Sequence, residues 1–180
     1  MYNFSKSLAA LTGLLVLSML LIGLSAARNS AVQNPSKSQV EGVWKIAEVL
    51  VPPKNPAEKA TTITNPKPAL IILTKGYYSF LAVRDERPAV APAKDPANLT
   101  DAEKIARYEQ WSPFTANSGT YEVKGSMLMF HPIVAKSVEV MTSGTPITWE
   151  LKVEGPNSLW LTPTSERAMT NPRLKLTRLE

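Results

Sequence analysis

A series of short apolar segments, separated by glycine and proline, is the feature that most constrains the fold. Several segments alternate between the two faces of a strand, as half-buried strands do. Turn residues follow at short intervals, which is typical of β-sandwiches and antiparallel barrels. We therefore predict an all-β domain of about eight antiparallel strands with one short helix. The predicted strands cover residues 40–51, 69–74, 77–84, 119–124, 127–131, 145–153, 158–162 and 173–179.

The first strand and the loop after it carry the clearest local signals. In residues 40–51, strict alternation would place Trp44, Ile46 and Glu48 on one face. Prolines recur through residues 52–68, and proline cannot donate a ladder hydrogen bond. We predict that this stretch is a loop with no regular ladder.

The single predicted helix covers residues 100–112. It opens with a capping box, in which Thr100 and Glu103 satisfy free N–H groups at the helix start. One apolar stripe follows at helical spacing, formed by Ile105, Tyr108 and Trp111. This stripe would either pack outside the sheet or cover the barrel mouth as a lid.

The N-terminus has the three parts of a secretory signal. Lys6 precedes an apolar stretch over residues 8–24, and small residues at 25–27 suit a cleavage site. We predict a signal peptide over residues 1–27, a flexible lead-in over 28–39 and the barrel domain over 40–180. The protein would be exported to the periplasm or secreted. The alternative is a membrane tether formed by the uncleaved segment, although the stretch is short for spanning a bilayer.

Composition excludes several classes of function. The 180 residues contain no Cys and one His, which rules out disulfides, thiol catalysis, Cys zinc sites and multi-His metal sites. We expect neither a metal nor a cofactor. The net charge of +5 comes from scattered Lys and Arg, so we expect no nucleic-acid partner. Weak contact with a membrane surface is compatible with this charge.

Five features, in chain order, resemble the bacterial lipocalin-like domain family, within the lipocalin and fatty-acid-binding group of barrels. The match begins with Glu-Gly-Val-Trp-Lys at 41–45 and the aromatic hairpin residues 78–81 after a glycine. It continues with Ser-Gly-Thr-Tyr at 118–121 and Phe-His at 130–131, and ends with a basic residue at Arg178. The segment 138–144 departs from the family pattern, since it has neither the Trp-x-Gly nor the Arg that often follow the His strand.

The resemblance implies a single up-and-down barrel in which Trp44 plugs one end. Arg178 would stack on its indole, a cation–π contact that contributes about 0.5–2 kcal/mol. We interpret both residues as fold residues. An eight-stranded barrel is about wide enough to hold one small ligand, so the resemblance also implies a cavity.

The leading functional hypothesis is therefore non-catalytic binding of a small apolar or amphipathic molecule. Aromatic and Met side chains suit an adaptable apolar wall, and a few polar groups would orient the ligand. We predict Arg84 and His131 as those polar anchors. The complete predicted ligand-binding set is Tyr78, Phe80, Arg84, Met127, Met129, His131 and Trp149.

Two alternatives remain open at this stage. An isomerase, cyclase or hydrolase acting on an apolar substrate would need His131 as its acid–base, oriented by a partner such as Glu48, Glu139 or Glu150. No nucleophile elbow accompanies that histidine. A structural barrel filled with side chains would bind nothing. The sequence indicates neither the ligand nor the oligomeric state.

Overall fold

The computed structural model describes residues 35–53, 55, 57–164 and 171–180. The predicted signal peptide, residues 1–27, and the start of the predicted lead-in, residues 28–34, lie outside the described residues. The described helices are α1 (Lys37–Val40), α2 (Asp101–Trp111) and α3 (Val138–Thr142). The described strands are β1 (Gly42–Val51), β2 (Thr61–Ile63), β3 (Ala69–Leu73), β4 (Tyr77–Val83), β5 (Phe114–Lys124), β6 (Met127–Ala135), β7 (Ile147–Val153), β8 (Ser158–Pro163) and β9 (Arg173–Arg178).

Eight of these strands form a closed antiparallel barrel. From β3 to β9 each strand pairs with the next along the chain, and β1 pairs with both β3 and β9. This up-and-down order leaves no open edge among the eight barrel strands. The predicted fold class is confirmed.

A β-bulge changes which side chains of β1 face inward. Trp44 is fully buried, and the pairing with β9 shifts register between Ile46 and Glu48. Beyond the shift Glu48 lies on the outside, where its Oε1 accepts a hydrogen bond from Lys175 Nζ at 3.0 Å. The prediction that Glu48 shares a face with Trp44 is therefore wrong, because one extra residue reverses the alternation.

The strand β2 lies inside the predicted loop 52–68. Its Thr-Thr-Ile sequence is β-branched and pairs with Val49–Val51 of β1. These β1 residues lie beyond the part of the strand that pairs with β3. The prediction of no regular ladder is wrong here, because β2 extends the wall at the end that β3 does not reach.

The predicted capping box of α2 is confirmed. Thr100 N donates to Glu103 Oε2 at 2.9 Å, and Glu103 N donates to Thr100 Oγ1 at 3.3 Å. The helices α1 and α3 were not predicted. The first falls partly in the predicted lead-in, and the second begins at Val138, after the N-cap residue Ser137, whose Oγ accepts from Val140 N.

The apolar stripe of α2 does not cover the barrel mouth, and most of it is exposed. Ile105, Tyr108 and Trp111 are 59%, 71% and 52% exposed. The helix is attached at its C-terminal end, where Lys136 Nζ donates to the carbonyls of Trp111 and Ser112. The expected lid is therefore wrong, and packing on the outside of the sheet is limited to Trp111, whose ring centroid lies 5.2 Å from that of Phe114 on β5.

One end of the barrel, which we call the closed end, is filled by side chains around Trp44. The indole is fully buried, and its Nε1 donates to Val40 O at 2.8 Å. Arg178 Cζ lies 4.1 Å from the centroid of the indole ring. The expected stacking of Arg178 on Trp44 is confirmed. The other buried residues here include Leu73, Tyr121, Leu128, Leu159 and Leu176.

Arg178 also ties three chain segments together. Its Nη2 donates to Gln39 O at 2.7 Å, its Nε donates to Pro156 O at 2.7 Å, and its Nη1 donates to Glu41 O. Gly42 adjoins this network with φ +142°, and a Cβ there would clash with the guanidinium. The Gly-x-Trp opening therefore has a physical reason, because only glycine leaves room for the arginine.

Candidate functional site

The opposite end of the barrel, which we call the open end, contains a cavity of about 630 Å³. It lies where β1 and β4 finish and where β9 begins. Its volume falls within the range of small-molecule sites, about 300–1,000 Å³. Most of its wall is apolar, and the apolar lining includes Ile46, Val49, Phe80, Phe130, Ile147, Trp149 and Leu174.

An aromatic pair separates this cavity from the closed end. The rings of Tyr78 and Phe130 stack with their centroids 4.0 Å apart and their planes 6° from parallel. Phe130 borders the cavity, whereas Tyr78 belongs to the buried core. Burial raises the pKa of Tyr78 to about 12, so its hydroxyl stays uncharged at neutral pH.

Two residues that line the cavity each have a buried polar atom with no hydrogen-bond partner among the described residues. The two atoms are Asn117 Oδ1 on β5 and Trp149 Nε1 on β7. The Asn117 side chain lies among the lining residues and the residue is only 6% exposed. Buried polar atoms are nearly always paired, and three others among the described residues, in Tyr78, Arg107 and Ser158, likewise have no partner.

Basic side chains lie at the mouth. Arg84 Nε donates to Thr115 Oγ1 at 2.6 Å, and Lys67 forms an ion pair with Glu86. Both basic residues are exposed. They are the only titratable residues among the described lining residues. The positive charge is therefore confined to the entrance, and the described interior is uncharged.

The structure brings part of the predicted ligand-binding set together. Phe80, Arg84 and Trp149 line the cavity. Tyr78 lies directly behind the wall, stacked on Phe130. Three of the predicted residues therefore border one space, and Tyr78 lies behind its wall.

The other three predicted site residues lie on the outer face of β6. On that strand Leu128 and Phe130 are each 1% exposed and face inward. Met127, Met129 and His131 alternate with them and therefore point away from the cavity. Their expected place on a cavity wall is corrected, because both faces of this strand are apolar and the sequence does not indicate which one is inside.

His131 pairs with a residue that the sequence analysis did not consider. Its Nε2 lies 2.9 Å from Glu122 Oε1 across the β5–β6 pair. Hydrogen bonds from Lys124 and then from His131 lower the pKa of the Glu122 carboxyl. The candidate partners Glu48, Glu139 and Glu150 do not pair with it in the described structure. The resulting pair is exposed to solvent on the outside of the barrel.

Sequence reasoning missed Asn117 because the predicted strand began at residue 119. The observed strand β5 begins at Phe114, and its inward positions include Thr115, Asn117 and Tyr121. Gly119, between them, has no room for a Cβ, because the His131 carbonyl of β6 approaches too closely. Extending the alternation upstream from Tyr121 would have placed Asn117 inside.

The described residues contain no group of three or more His, Asp or Glu side chains suited to hold a metal ion. Within the described ranges, no helix combines the length and the apolar character needed to cross a bilayer.

Comparisons with known proteins return no matching family model and no matching curated protein. The solved structures with similarity to this chain include the following two. An uncharacterized protein from Bacteroides eggerthii is 9% identical, with 77% of this chain and 98% of that chain covered and a TM-score of 0.39. A redesigned β-barrel is 11% identical, with 80% and 95% covered and a TM-score of 0.38. The fold assignment accordingly depends on the strand pairing of this chain.

Proposed function

We propose that the protein binds one small apolar or amphipathic molecule in the cavity at the open end, without catalysis. The observation that carries this proposal is the apolar cavity of about 630 Å³. Burial of apolar ligand surface against such a wall contributes roughly 25 cal/mol per Å². A cavity of this size also argues against the alternative of a barrel completely filled with side chains.

The position of His131 gives no support to the enzyme alternative. A general base must reach the reacting group within hydrogen-bond distance or through one water. His131 and Glu122 lie outside the barrel wall, and neither lines the cavity. The described cavity wall therefore offers no histidine to act on a bound substrate.

The proposal includes membership of the lipocalin-like group and export. Support for membership comes from the closed eight-stranded barrel, the Gly-x-Trp opening and the Arg178 stack on Trp44. Support for export is the three-part signal pattern over residues 1–27. N-terminal sequencing of the protein recovered from an exporting host tests the export proposal, and we expect a mature chain that starts at Arg28.

Binding is tested by titration with the neutral apolar fluorophore N-phenylnaphthylamine. We compare the wild-type protein with Ala82→Phe, which fills the cavity, and with Leu81→Phe on the outer face of the same strand. We expect enhanced fluorescence with the wild type and with Leu81→Phe, and at least a tenfold weaker affinity with Ala82→Phe (about 1.4 kcal/mol). Equal binding by both variants would place the fluorophore outside the cavity and contradict the proposal.

A further inference from the structure

We propose that the apolar stripe of α2 is a surface on which a second copy of this chain docks, with the two α2 helices antiparallel. The stripe consists of Ile105, Tyr108 and Trp111, all of which are exposed. This inference is independent of the cavity and of any molecule bound in it. It gives a reason for a helix that turns its apolar side to solvent.

The helix α2 is amphipathic, but its orientation is the reverse of the usual one. A surface helix normally packs its apolar stripe against the protein and turns its polar side to solvent. Here the half-buried positions lie on the side opposite the stripe, and they are Glu103, Ala106, Arg107 and Gln110. Gln110 Nε2 donates to Pro88 O at 3.0 Å, and Arg107 Nε is buried. The polar side is therefore attached to the proline-rich loop before the helix, and the apolar side is exposed.

The sheet beside α2 extends this apolar surface. The ring of Trp111 packs against Phe114 at the start of β5, with the centroids 5.2 Å apart. The same outer face of β5 continues to Ala116, which pairs with the exposed Leu81 of β4. Val134 of β6, on the other side of β5, is exposed as well. We call the stripe together with Leu81 and Val134 the α2 patch. Large contiguous apolar patches on a protein surface mark interaction sites.

The size of the α2 patch suits a reversible dimer. Tyr108 and Trp111 are 71% and 52% exposed, and aromatic side chains bury about 150–250 Å² each, so together they offer roughly 200–300 Å². Weak, transient interfaces bury less than about 600 Å² per partner. The aliphatic residues of the patch add to the aromatic area. We therefore expect an association that reverses on dilution.

The two ends of α2 have opposite charges beside them. The first turn of the helix carries the acidic residues Asp101 and Glu103. At the other end, Arg87 Cζ and Lys136 Nζ lie 5.9 and 5.5 Å from the centroid of the Trp111 ring. Neither cation forms an ion pair with a carboxylate among the described residues. A second copy can supply that carboxylate.

An antiparallel arrangement brings these opposite charges together. A two-fold axis midway between Ile105 and Tyr108 places Ile105 of one copy opposite Tyr108 of the other. The same axis sets Asp101 of one copy level with Ser112 of the other, at the end of the helix where Arg87 Nε donates to the Gln110 carbonyl. Each contact then occurs twice, as in an isologous interface. The α2 patch is therefore complementary to itself in both apolar surface and charge.

A lipid surface fits this helix less well. The helix carries three acidic residues, Asp101, Glu103 and Glu109, and two basic ones, Lys104 and Arg107. Helices that lie in a membrane interface are rich in Lys and Arg, which attract anionic headgroups. The acidic excess of α2 favours a second copy over a lipid surface, and vesicle binding is the competing outcome in the test.

The test is sedimentation velocity of the protein purified from an exporting host, at concentrations from about 1 µM to about 0.5 mM. We expect the wild type to sediment as a dimer at the highest concentration and as a monomer after dilution. Tyr108→Glu would bury an unpaired carboxylate in the interface, so it should weaken the dimer at least tenfold. Tyr77→Glu is the matched control, because it makes the same change at a similarly exposed residue (63%) at the start of β4, outside the α2 patch.

A charge exchange tests the antiparallel geometry. Asp101→Lys brings like charges together in its own dimer, and Arg87→Glu does the same with the opposite sign. We expect each variant alone to associate at least tenfold more weakly than the wild type. An equimolar mixture should associate to within about threefold of the wild type, because opposite charges face each other at both contacts of the mixed dimer. Thermal denaturation of each variant checks that it is folded.

Wild-type protein that remains monomeric over the whole concentration range would overturn the proposal. A dimer that Tyr108→Glu leaves intact, or that Tyr77→Glu weakens equally, would do the same, since it would form through another surface. Charge variants that gain nothing on mixing would refute the antiparallel arrangement. If a monomeric wild type sediments with vesicles of phosphatidylcholine and phosphatidylglycerol and Tyr108→Glu does not, the patch binds a lipid surface and the proposed second copy is wrong.

Discussion

At the closed end of the barrel Trp44 is fully buried and its indole N–H donates to Val40 O, whereas at the open end Trp149 borders a cavity and its N–H has no described partner. Arg178 shows the same contrast with Arg84. The first stacks on an indole and binds three carbonyls, and the second lies exposed at the mouth.

This difference separates the residues that stabilise the fold from those that are available for a ligand. The same strands supply both ends, so their roles differ by position along the strand and not by element. At the closed end the Trp44 indole N–H and the Arg178 guanidinium are paired within the protein. At the open end, unpaired polar atoms and unfilled volume reduce stability locally, and the unfilled volume provides a surface that a ligand can complete.

The largest expected effect follows from removing the plug of the closed end. Trp44→Ala should lower the free energy of unfolding by about 3–5 kcal/mol, because a fully buried ring leaves a cavity and Arg178 loses its stacking partner. Urea denaturation measures this loss. Trp149→Ala is the matched control, and we expect it to cost less than half as much, since one side of that ring already faces a cavity. Equal losses of unfolding free energy in the two variants would contradict the proposed difference between the two ends.

Gly42→Ala should have the next largest effect. The residue has φ +142°, and the added Cβ would clash with the Arg178 guanidinium and the Glu180 carbonyl. We expect a loss of about 2–3 kcal/mol in the free energy of unfolding, from backbone strain and from displacement of the arginine. Gly76→Ala is the control, because a Cβ there meets nothing within 4 Å and its φ is unexceptional. A near-neutral Gly42→Ala would show that the N-terminal segment can move away.

Arg178→Lys tests the closed end further, because it keeps the positive charge but removes the planar guanidinium group. A lysine cannot reach the carbonyls of Gln39 and Pro156 together while it stacks on Trp44, so we expect a loss of about 1–2 kcal/mol. Arg173→Lys is the matched control, since Arg173 lies 5.1 Å from the Trp160 ring centroid but is exposed. Equal unfolding midpoints for both variants would mean that Arg178 contributes only its charge.

The smallest effect concerns the outer face, where Glu122 contacts Lys124 and His131. The pKa of this carboxyl is lowered in the folded protein, so its contribution to stability is present above the ordinary pKa of a glutamate. It is lost as pH falls through the lowered value. We expect Glu122→Gln to be slightly less stable than the wild type at neutral pH, and the gap to close in acid. A gap that stays constant with pH would contradict this assignment.

At the closed end, the position of Trp44 and the Arg178 stack were predicted through the resemblance of the Gly-x-Trp opening and the last basic residue to lipocalin-like barrels. The capping box of α2 needed no resemblance, because it is a local pattern that requires no tertiary information. The barrel class could be predicted as well, because short alternating strands with glycine and proline between them have few ways to bury their apolar faces.

The open end could be predicted only in part. Alternation shows which residues share a face but not which face is inside when both are apolar, and Met127, Met129 and His131 were placed wrongly for that reason. The bulge before Glu48 and the short strand β2 depend on pairing between distant segments. Neither leaves a local signal, and the polar wall residue Asn117 lies before the predicted start of its strand at residue 119.

The most direct test of the central claim is native mass spectrometry of the protein purified from an exporting host, with wild type and Ala82→Phe measured in parallel. We predict an adduct on the order of a few hundred daltons on the wild type, extractable into organic solvent and absent from Ala82→Phe. The same adduct on both proteins would contradict the account, because the cavity would then not be the binding site. Its absence from both, together with no fluorophore binding, would contradict the binding function itself.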